Sequence, residues 1–261
     1  MKISILASGS RGNCTLIHDD NTAILLDMGI STRQLKKSLA TLHLNIDDLS
    51  AVFITHEHID HIKGLKTFTK NYHIPIYSKT NTLKQIAINQ QLNEDSIRNL
   101  QILPENNLMI GNLTIKHFTI SHDAIDPVGY SIYKNQKSTI KNKITLATDL
   151  GFVSNSVKEE LEASHTLILE ANHDLNLLQN GQYPWSLKKR ILGTRGHLSN
   201  NDAGYTVSNL KIKPQQVILA HLSEQNNTPD IALNTVKKIF DEQNLSDISL
   251  HVASSTKILN I

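Results

Sequence analysis

Thr55-His56-Glu57-His58-Ile59-Asp60-His61 is the stretch on which the reading of this chain turns. Three imidazoles and the Asp60 carboxylate fall within six residues, directly after the apolar run Ala51-Val52-Phe53-Ile54. A strand that ends in a ligand-rich loop presents its donors at a sheet edge. Imidazole and carboxylate suit Zn, Mn and Fe, and four donors this close together can serve two ions.

Outward from that stretch, strands and helices alternate. Residues 2–7, 14–18 and 22–27 read as short strands, with Gly9, Gly12 and Asn13 able to take the positive φ of the turns between them. Ser31 or Thr32 caps a helix over 31–42 that carries Leu35, Leu39 and Leu42 on one face. Strand 51–55, helix 62–71, strand 74–77, helix 80–91 and short strands between 100 and 133 follow. A second half repeats the theme: strand 143–148, helix 154–162, strand 165–171, helices near 186–193 and 200–209, strand 216–220, helix 228–243 and strand 248–252. Two strand-rich halves with helices outside each predict an α/β chain of the four-layer αββα sandwich class. At 261 residues, with no linker or low-complexity segment, residues 1–261 are expected to form a single domain.

Composition narrows the class further. Hydrophobic residues make up 39%, and no apolar run approaches the roughly 20 residues a spanning helix needs, so no membrane partner is expected. Met1 to Ala7 reads as a first strand, too short for a signal peptide. Cys14 is the only cysteine, which excludes an internal disulfide and fits a reducing cytoplasm. It reads as a small core residue. The net charge is only +2, but the charges segregate. Lys63, Lys66, Lys70, Lys79 and Lys84 lie in one acid-free stretch, Lys134, Lys137, Lys141 and Lys143 in another, and Lys188, Lys189, Arg190 and Arg195 in a third. These stretches either build a positive face for a polyanion or are ordinary solvated surface.

The His-x-His-x-Asp-His run resembles the signature of the metallo-β-lactamase fold, and further motifs follow in that family's order. Leu25-Leu26-Asp27-Met28-Gly29 resembles its early Asp-x-Gly, and Ile120-Ser121-His122-Asp123 its third histidine motif. Ala147-Thr148-Asp149-Leu150-Gly151 resembles its bridging aspartate, and Leu219-Ala220-His221-Leu222-Ser223 its last histidine. The resemblance implies two divalent ions (Zn, Mn or Fe), one held by His56, His58 and His122, the other by Asp60, His61 and His221, with Asp149 between them. Ions about 3.5–4 Å apart clamp a phosphoryl oxygen and lower the pKa of a bridging water, whose hydroxide is the nucleophile. No Ser or Cys nucleophile is then required. Asp60 is expected to orient that hydroxide as well as to ligate. Asp27 either orients a ligand by hydrogen bond or is a plain turn aspartate.

The substrate question turns on Tyr183-Pro184-Trp185, Leu187-Lys188-Lys189-Arg190-Ile191-Leu192-Gly193 and Arg195-Gly196-His197-Leu198-Ser199-Asn200, preceded by Glu170-Ala171-Asn172-His173-Asp174. Together these resemble the YycJ/WalJ branch of the fold and are similar to tRNase Z around the Gly-His pair. That branch is associated with 5′-to-3′ exonuclease action on double-stranded DNA and with mismatch repair, so the resemblance implies duplex DNA as partner and a role in DNA repair. The residues also carry a reading of their own. His197 follows a glycine and precedes a predicted helix capped by Ser199 or Asn200, where it can hydrogen-bond a phosphate or protonate a leaving oxygen. Asn172 and His173 lie just past a strand, as substrate contacts or as structural residues. Tyr183 and Trp185 beside Lys188, Lys189, Arg190 and Arg195 combine stacking surface with phosphate-seeking charge, unless Trp185 anchors the loop in the core. His18, His43, His73, His117, His165 and His251 are expected to have no catalytic role.

The span from Tyr133 to Ile144 reads as a short polar hairpin, without the arm by which tRNase Z grips tRNA. Asp149 to His221 is too short for an inserted β-CASP domain. Fold alone leaves the substrate open, because function lives in the site and its loops. The competing expectation is a hydrolase of a small substrate (a cyclic nucleotide, thioester or lactam) on the same centre. A non-catalytic binding module would have lost ligands, and this chain has kept them. A homodimer is compatible with these residues, but nothing in them argues for one.

Overall fold

A computed structural model describes residues 1–19, 21–134 and 142–261. Strands β1 (Lys2–Ala7), β2 (Cys14–His18), β3 (Ala23–Leu26), β4 (Leu49–Phe53), β5 (Ile76–Ser78), β6 (Leu100–Ile102) and β7 (Leu108–Ile110) come first. They are followed by β8 (Leu113–Thr119), β9 (Val128–Lys134), β10 (Lys143–Ala147), β11 (Thr166–Glu170), β12 (Gln216–Ala220), β13 (Ser249–Val252) and β14 (Leu259–Asn260). The helices are α1 (Thr32–Thr41), α2 (Ile59–Ile62), α3 (Leu65–Asn71), α4 (Thr80–Asn89) and α5 (Glu94–Ile97). Beyond them come α6 (Asn155–Leu161), α7 (Leu175–Asn180), α8 (Trp185–Ile191), α9 (Asn200–Ser208) and α10 (Pro229–Glu242).

The chain packs as two compact units. The first comprises Met1–Lys116, Ala124–Pro127 and Ser255–Ile261, the second His117–Asp123 and Val128–Ser254. In the first unit the sheet order is β14-β1-β2-β3-β4-β5-β6. It begins as an antiparallel meander and becomes parallel from β3 onward. All four residues of β3 are buried, as a strand covered on both faces requires. Its core joins Leu16, Leu25, Val52 and Phe68 to the Leu35 and Leu39 face of α1, which is capped by Ser31, one of the two expected caps. In the second unit β13-β12-β11-β10 run parallel and β9 lies antiparallel to β10. Leu167, Leu169, Val217 and Leu219 pack there against Val207 of α9 and Val236 and Phe240 of α10.

The departures from expectation are local. The helix expected over 62–71 is split into α2 and α3, and Gly64 at the junction packs so close to Ile30 that a Cβ would meet its carbonyl oxygen at 2.1 Å. Helices α5 and α7 and strand β14 have too short a hydrophobic period to be read from sequence. Lys143 is not a surface cation: it is buried, with its Nζ donating to the carbonyls of Glu160 and Glu162 at the end of α6. Lys137, Lys141 and most of the expected polar hairpin lie outside the described residues. Among those residues no helix is long and apolar enough to cross a membrane.

Candidate metal centre

In the first unit the ligand loop is held by the segment after β3. Asp27 sits there in the left-handed region, with φ 61°. Its carboxylate accepts from the Thr55 amide at 2.8 Å and from Thr55 Oγ1 at 3.0 Å, and holds His61 Nδ1 at 2.8 Å. Thr55 Oγ1 lies 3.0 Å from His56 Nδ1, so one carboxylate orients two expected ligands. The next glycine has a separate reason. A Cβ on Gly29 would meet the Asp60 carbonyl at 1.6 Å, so the Asp-x-Gly motif needs its glycine for close backbone approach. Asn13 Nδ2 lies 3.0 Å from Asp60 Oδ2 and 3.1 Å from His61 Nε2. The ring of His56 is centred 4.5 Å from that of His58 and 4.1 Å from that of His61. Glu57 turns away from them and accepts from the Ile125 amide at 2.9 Å.

The second unit gathers its candidates from four chain segments. His122 follows β8, Asp149 follows β10, His197 precedes α9 and His221 follows β12. Asp149 and His221, like Asp27, are non-glycine residues at positive φ, 61° and 56°. Such backbone persists only where the surroundings hold it, and it turns these side chains out of the strand ends. Asp149 Oδ1 lies 3.3 Å from His221 Nδ1 and 3.9 Å from His122 Nε2. The organiser is Glu170, fully buried at the end of β11. Its Oε1 lies 2.8 Å from both His197 Nδ1 and His221 Nδ1, while its Oε2 accepts from the Leu150 and Leu198 amides. With its oxygens so engaged, Glu170 orients the imidazoles, and with Asp149, His197 and His221 it also belongs to a group close enough to hold a metal ion. Sequence reading noted the Glu-Ala pair but missed this role, along with those of Thr55 and Asn13.

Four of the rings turn Nδ1 toward an oxygen. Nδ1 of His56, His61, His122 and His221 has an oxygen of Thr55, Asp27, Gly196 or Glu170 within 3.3 Å. A ring that donates from Nδ1 keeps its Nε2 lone pair for a metal. Electrostatics agree. Burial pushes the His122 imidazole down toward the neutral form that ligates. Burial would also lower His197, but the Glu170 charge and its hydrogen bond outweigh it and raise the imidazole. Burial would raise Glu170, yet His197 and the two imidazole hydrogen bonds hold it below the usual carboxylate range. Neutral imidazoles with buried carboxylates are the donor set of Zn, Mn and Fe sites, so these residues fit divalent ions.

Residues 22–222 match the beta-lactamase superfamily domain. The exodeoxyribonuclease YycJ of Bacillus anthracis is 33% identical over 247 residues, 93% of this chain and 90% of its own. The exodeoxyribonuclease WalJ of Streptococcus pneumoniae serotype 2 is 35% identical over 237 residues, 90% of this chain and 86% of its own. Among solved structures, the metallo-β-lactamase fold protein YhfI of Bacillus subtilis superposes with a TM-score of 0.73 at 18% identity, covering 100% of this chain and 99% of its own. The chain belongs to the beta-lactamase superfamily, in the branch of the YycJ/WalJ exodeoxyribonucleases. Its fold is that of the metallo-β-lactamases, as the motifs implied, and it is a metal-dependent hydrolase.

Against this family frame, the expected substrate residues divide. Trp185 is 68% exposed, so it is not the core anchor that one reading allowed. Lys188 donates its Nζ to the Gln179 and Gly181 carbonyls and ties α7 to α8. Arg190 pairs with Asp123, and Arg195 Nε donates to the His122 carbonyl at 3.0 Å, so both brace the loop of an expected ligand. Ser199 caps α9 through Asp202, and Asn200 is buried against Asn227. Asn172 is buried and donates to the His221 carbonyl at 2.9 Å. His173 is 1% exposed, and burial lowers its imidazole to about 4. These four are buried, and their hydrogen bonds and packing shape the loops from inside. Tyr183 is half-buried at the start of α8.

Proposed function

We propose that this protein is a cytoplasmic metal-dependent nuclease that removes nucleotides from double-stranded DNA in the 5′-to-3′ direction and serves DNA repair. The observation that carries the reading is likeness to two exodeoxyribonucleases over about nine-tenths of the chain, with every ligand motif present. In this reading His56, His58, Asp60, His61, His122, Asp149 and His221 hold two divalent ions (Zn, Mn or Fe). When bound, such ions supply a water of lowered pKa and neutralise charge on the phosphoryl oxygens. Asp60, held by Asn13, orients the attacking water and accepts its hydrogen bond. His197, raised and tethered at Nδ1 by Glu170, presents Nε2 to protonate the leaving oxygen. Lys63, the C-cap of α2, and Lys66 and Lys70 of α3 are exposed at helical spacing and meet the polyanion in the first unit, and exposed Lys189 of α8 meets it in the second.

The test is digestion of 5′-phosphorylated duplex DNA labelled separately at each end, with Mn2+- or Zn2+-loaded protein, matched RNA alongside and His58→Ala as control. Early release of 5′ label as mononucleotides, lost in the variant, is the expected result. Cleavage of a cyclic nucleotide, thioester or lactam with both polymers intact would move the activity to the small-substrate class.

A further inference from the structure

A cleft of about 570 Å³ opens in the second unit between α6 and α9, lined in part by Gly151, Phe152, Lys158, Leu192, Leu198 and Tyr205. Its size falls within the range of sites for small organic ligands. Three of its lining side chains are large, apolar and openly solvated: Phe152 is 45% exposed, Leu192 42% and Tyr205 47%. Apolar groups gathered on one cleft mark a recognition surface more often than chance exposure does. Polar groups able to hydrogen-bond any base or its sugar accompany them: Asn155 and Asn209 are exposed, and Thr206 offers a hydroxyl. Lys158 is the cation of the lining and exposed Asp202 its carboxylate, and Leu192 caps α8 just past Lys188, Lys189 and Arg190.

Chain connectivity sets the cleft beside the chemistry. Leu198 adjoins His197, and Gly151 lies two residues past Asp149, at most about 7 Å of chain. Gly151 is also fixed against the 193–194 turn, since a Cβ there would meet the Thr194 carbonyl carbon at 2.3 Å. The segment after the expected bridging aspartate and the segment before His197 therefore form one rim.

We propose that this cleft is a base-binding subsite: it takes one unpaired nucleobase of the strand being cut, against the rings of Phe152 and Tyr205, while the adjoining phosphates meet Lys158 and Lys189. The inference deepens the nuclease reading and rests on it for the identity of the substrate. Stacking on aromatic rings tolerates every base, so the subsite grips the strand without selecting sequence.

The experiment titrates the purified full-length protein with 2-aminopurine deoxyribonucleoside 5′-monophosphate, read by quenching of the base, with deoxyribose 5-phosphate as competitor. Phe152→Ala/Tyr205→Ala is compared with the parent, and Phe152→Leu/Tyr205→Leu replaces it should the first variant fail to fold. Saturable quenching that weakens about tenfold in the variant, and that deoxyribose 5-phosphate competes poorly, is the expected result. Equal quenching in parent and variant, or none in either, overturns the subsite whether or not DNA is digested. A parent that binds the nucleotide through these rings yet digests no nucleic acid overturns the nuclease reading and leaves the subsite standing. Where DNA is digested, the variant is expected to raise KM about tenfold with kcat nearly unchanged.

Discussion

In the first unit the candidate ligands are contiguous, His56 to His61, and a single carboxylate, Asp27, tethers two of them directly and through Thr55. In the second, His122, Asp149, His197 and His221 arrive from four segments, and a buried carboxylate, Glu170, holds two of the rings and two backbone amides. The first plan lets a short loop carry its own geometry, so the tether only refines it. The second has no local geometry to lean on. There the carboxylate is structural as well as chemical, and damage to it should spread further. The largest expected effect is therefore at Glu170. Glu170→Ala removes the acceptor of two amides and two imidazoles in a buried place, a loss of about 3–5 kcal/mol by analogy with breaking buried charged networks. Denaturant unfolding together with metal content by mass spectrometry would show it. Stability equal to the parent's would break the contrast.

Gly29→Ala comes next, because it strikes the first unit through backbone and not through a tether. The methyl would have to displace the Asp60 carbonyl, and a cost of about 2–3 kcal/mol is expected in the same unfolding measurement. The tether itself should cost less. Asparagine tolerates the left-handed φ that Asp27 adopts, so Asp27→Asn keeps the fold and loses the charge that orients His61. Metal affinity is expected to fall about tenfold, at the lower end for an orienting residue, as read by competition with a chromogenic chelator. A larger drop for Asp27→Asn than for Glu170→Gln would reverse the ranking of the two plans.

The same contrast explains what could be read from sequence. The ligand loop was legible because four donors sit within six residues after an apolar strand. The second group was legible only through family order, since His122, Asp149 and His221 each look like an isolated polar residue at a strand end. Asp27, Asp149 and His221 share a left-handed backbone that residue type does not announce. The organising role of Glu170 escaped notice for a physical reason: at the end of an apolar strand, a charge to be buried looks like a charge to be solvated. Asn172, His173, Ser199 and Asn200 show the opposite ambiguity. Polar residues near a site suggest substrate, yet these hydrogen-bond or pack inside, because crossing loops have backbone groups of their own to satisfy.

Trp185 gives the smallest expected effect on the fold and the sharpest use of the comparison. Helix α8 belongs to the second unit, where removing a buried organiser is expected to cost most, yet this ring is 68% exposed. Trp185→Ala should therefore shift unfolding by no more than about 0.5 kcal/mol, as surface substitutions do. Lys188→Met in the same helix should cost more, since its Nζ ties the Gln179 and Gly181 carbonyls across the α7–α8 turn. If the tryptophan variant keeps its stability and binds duplex DNA several-fold more weakly in a polarisation titration, the ring meets the polymer, with base stacking as the physical source. If binding is unchanged as well, exposure here carries no function, and the polymer face of α8 reduces to Lys189.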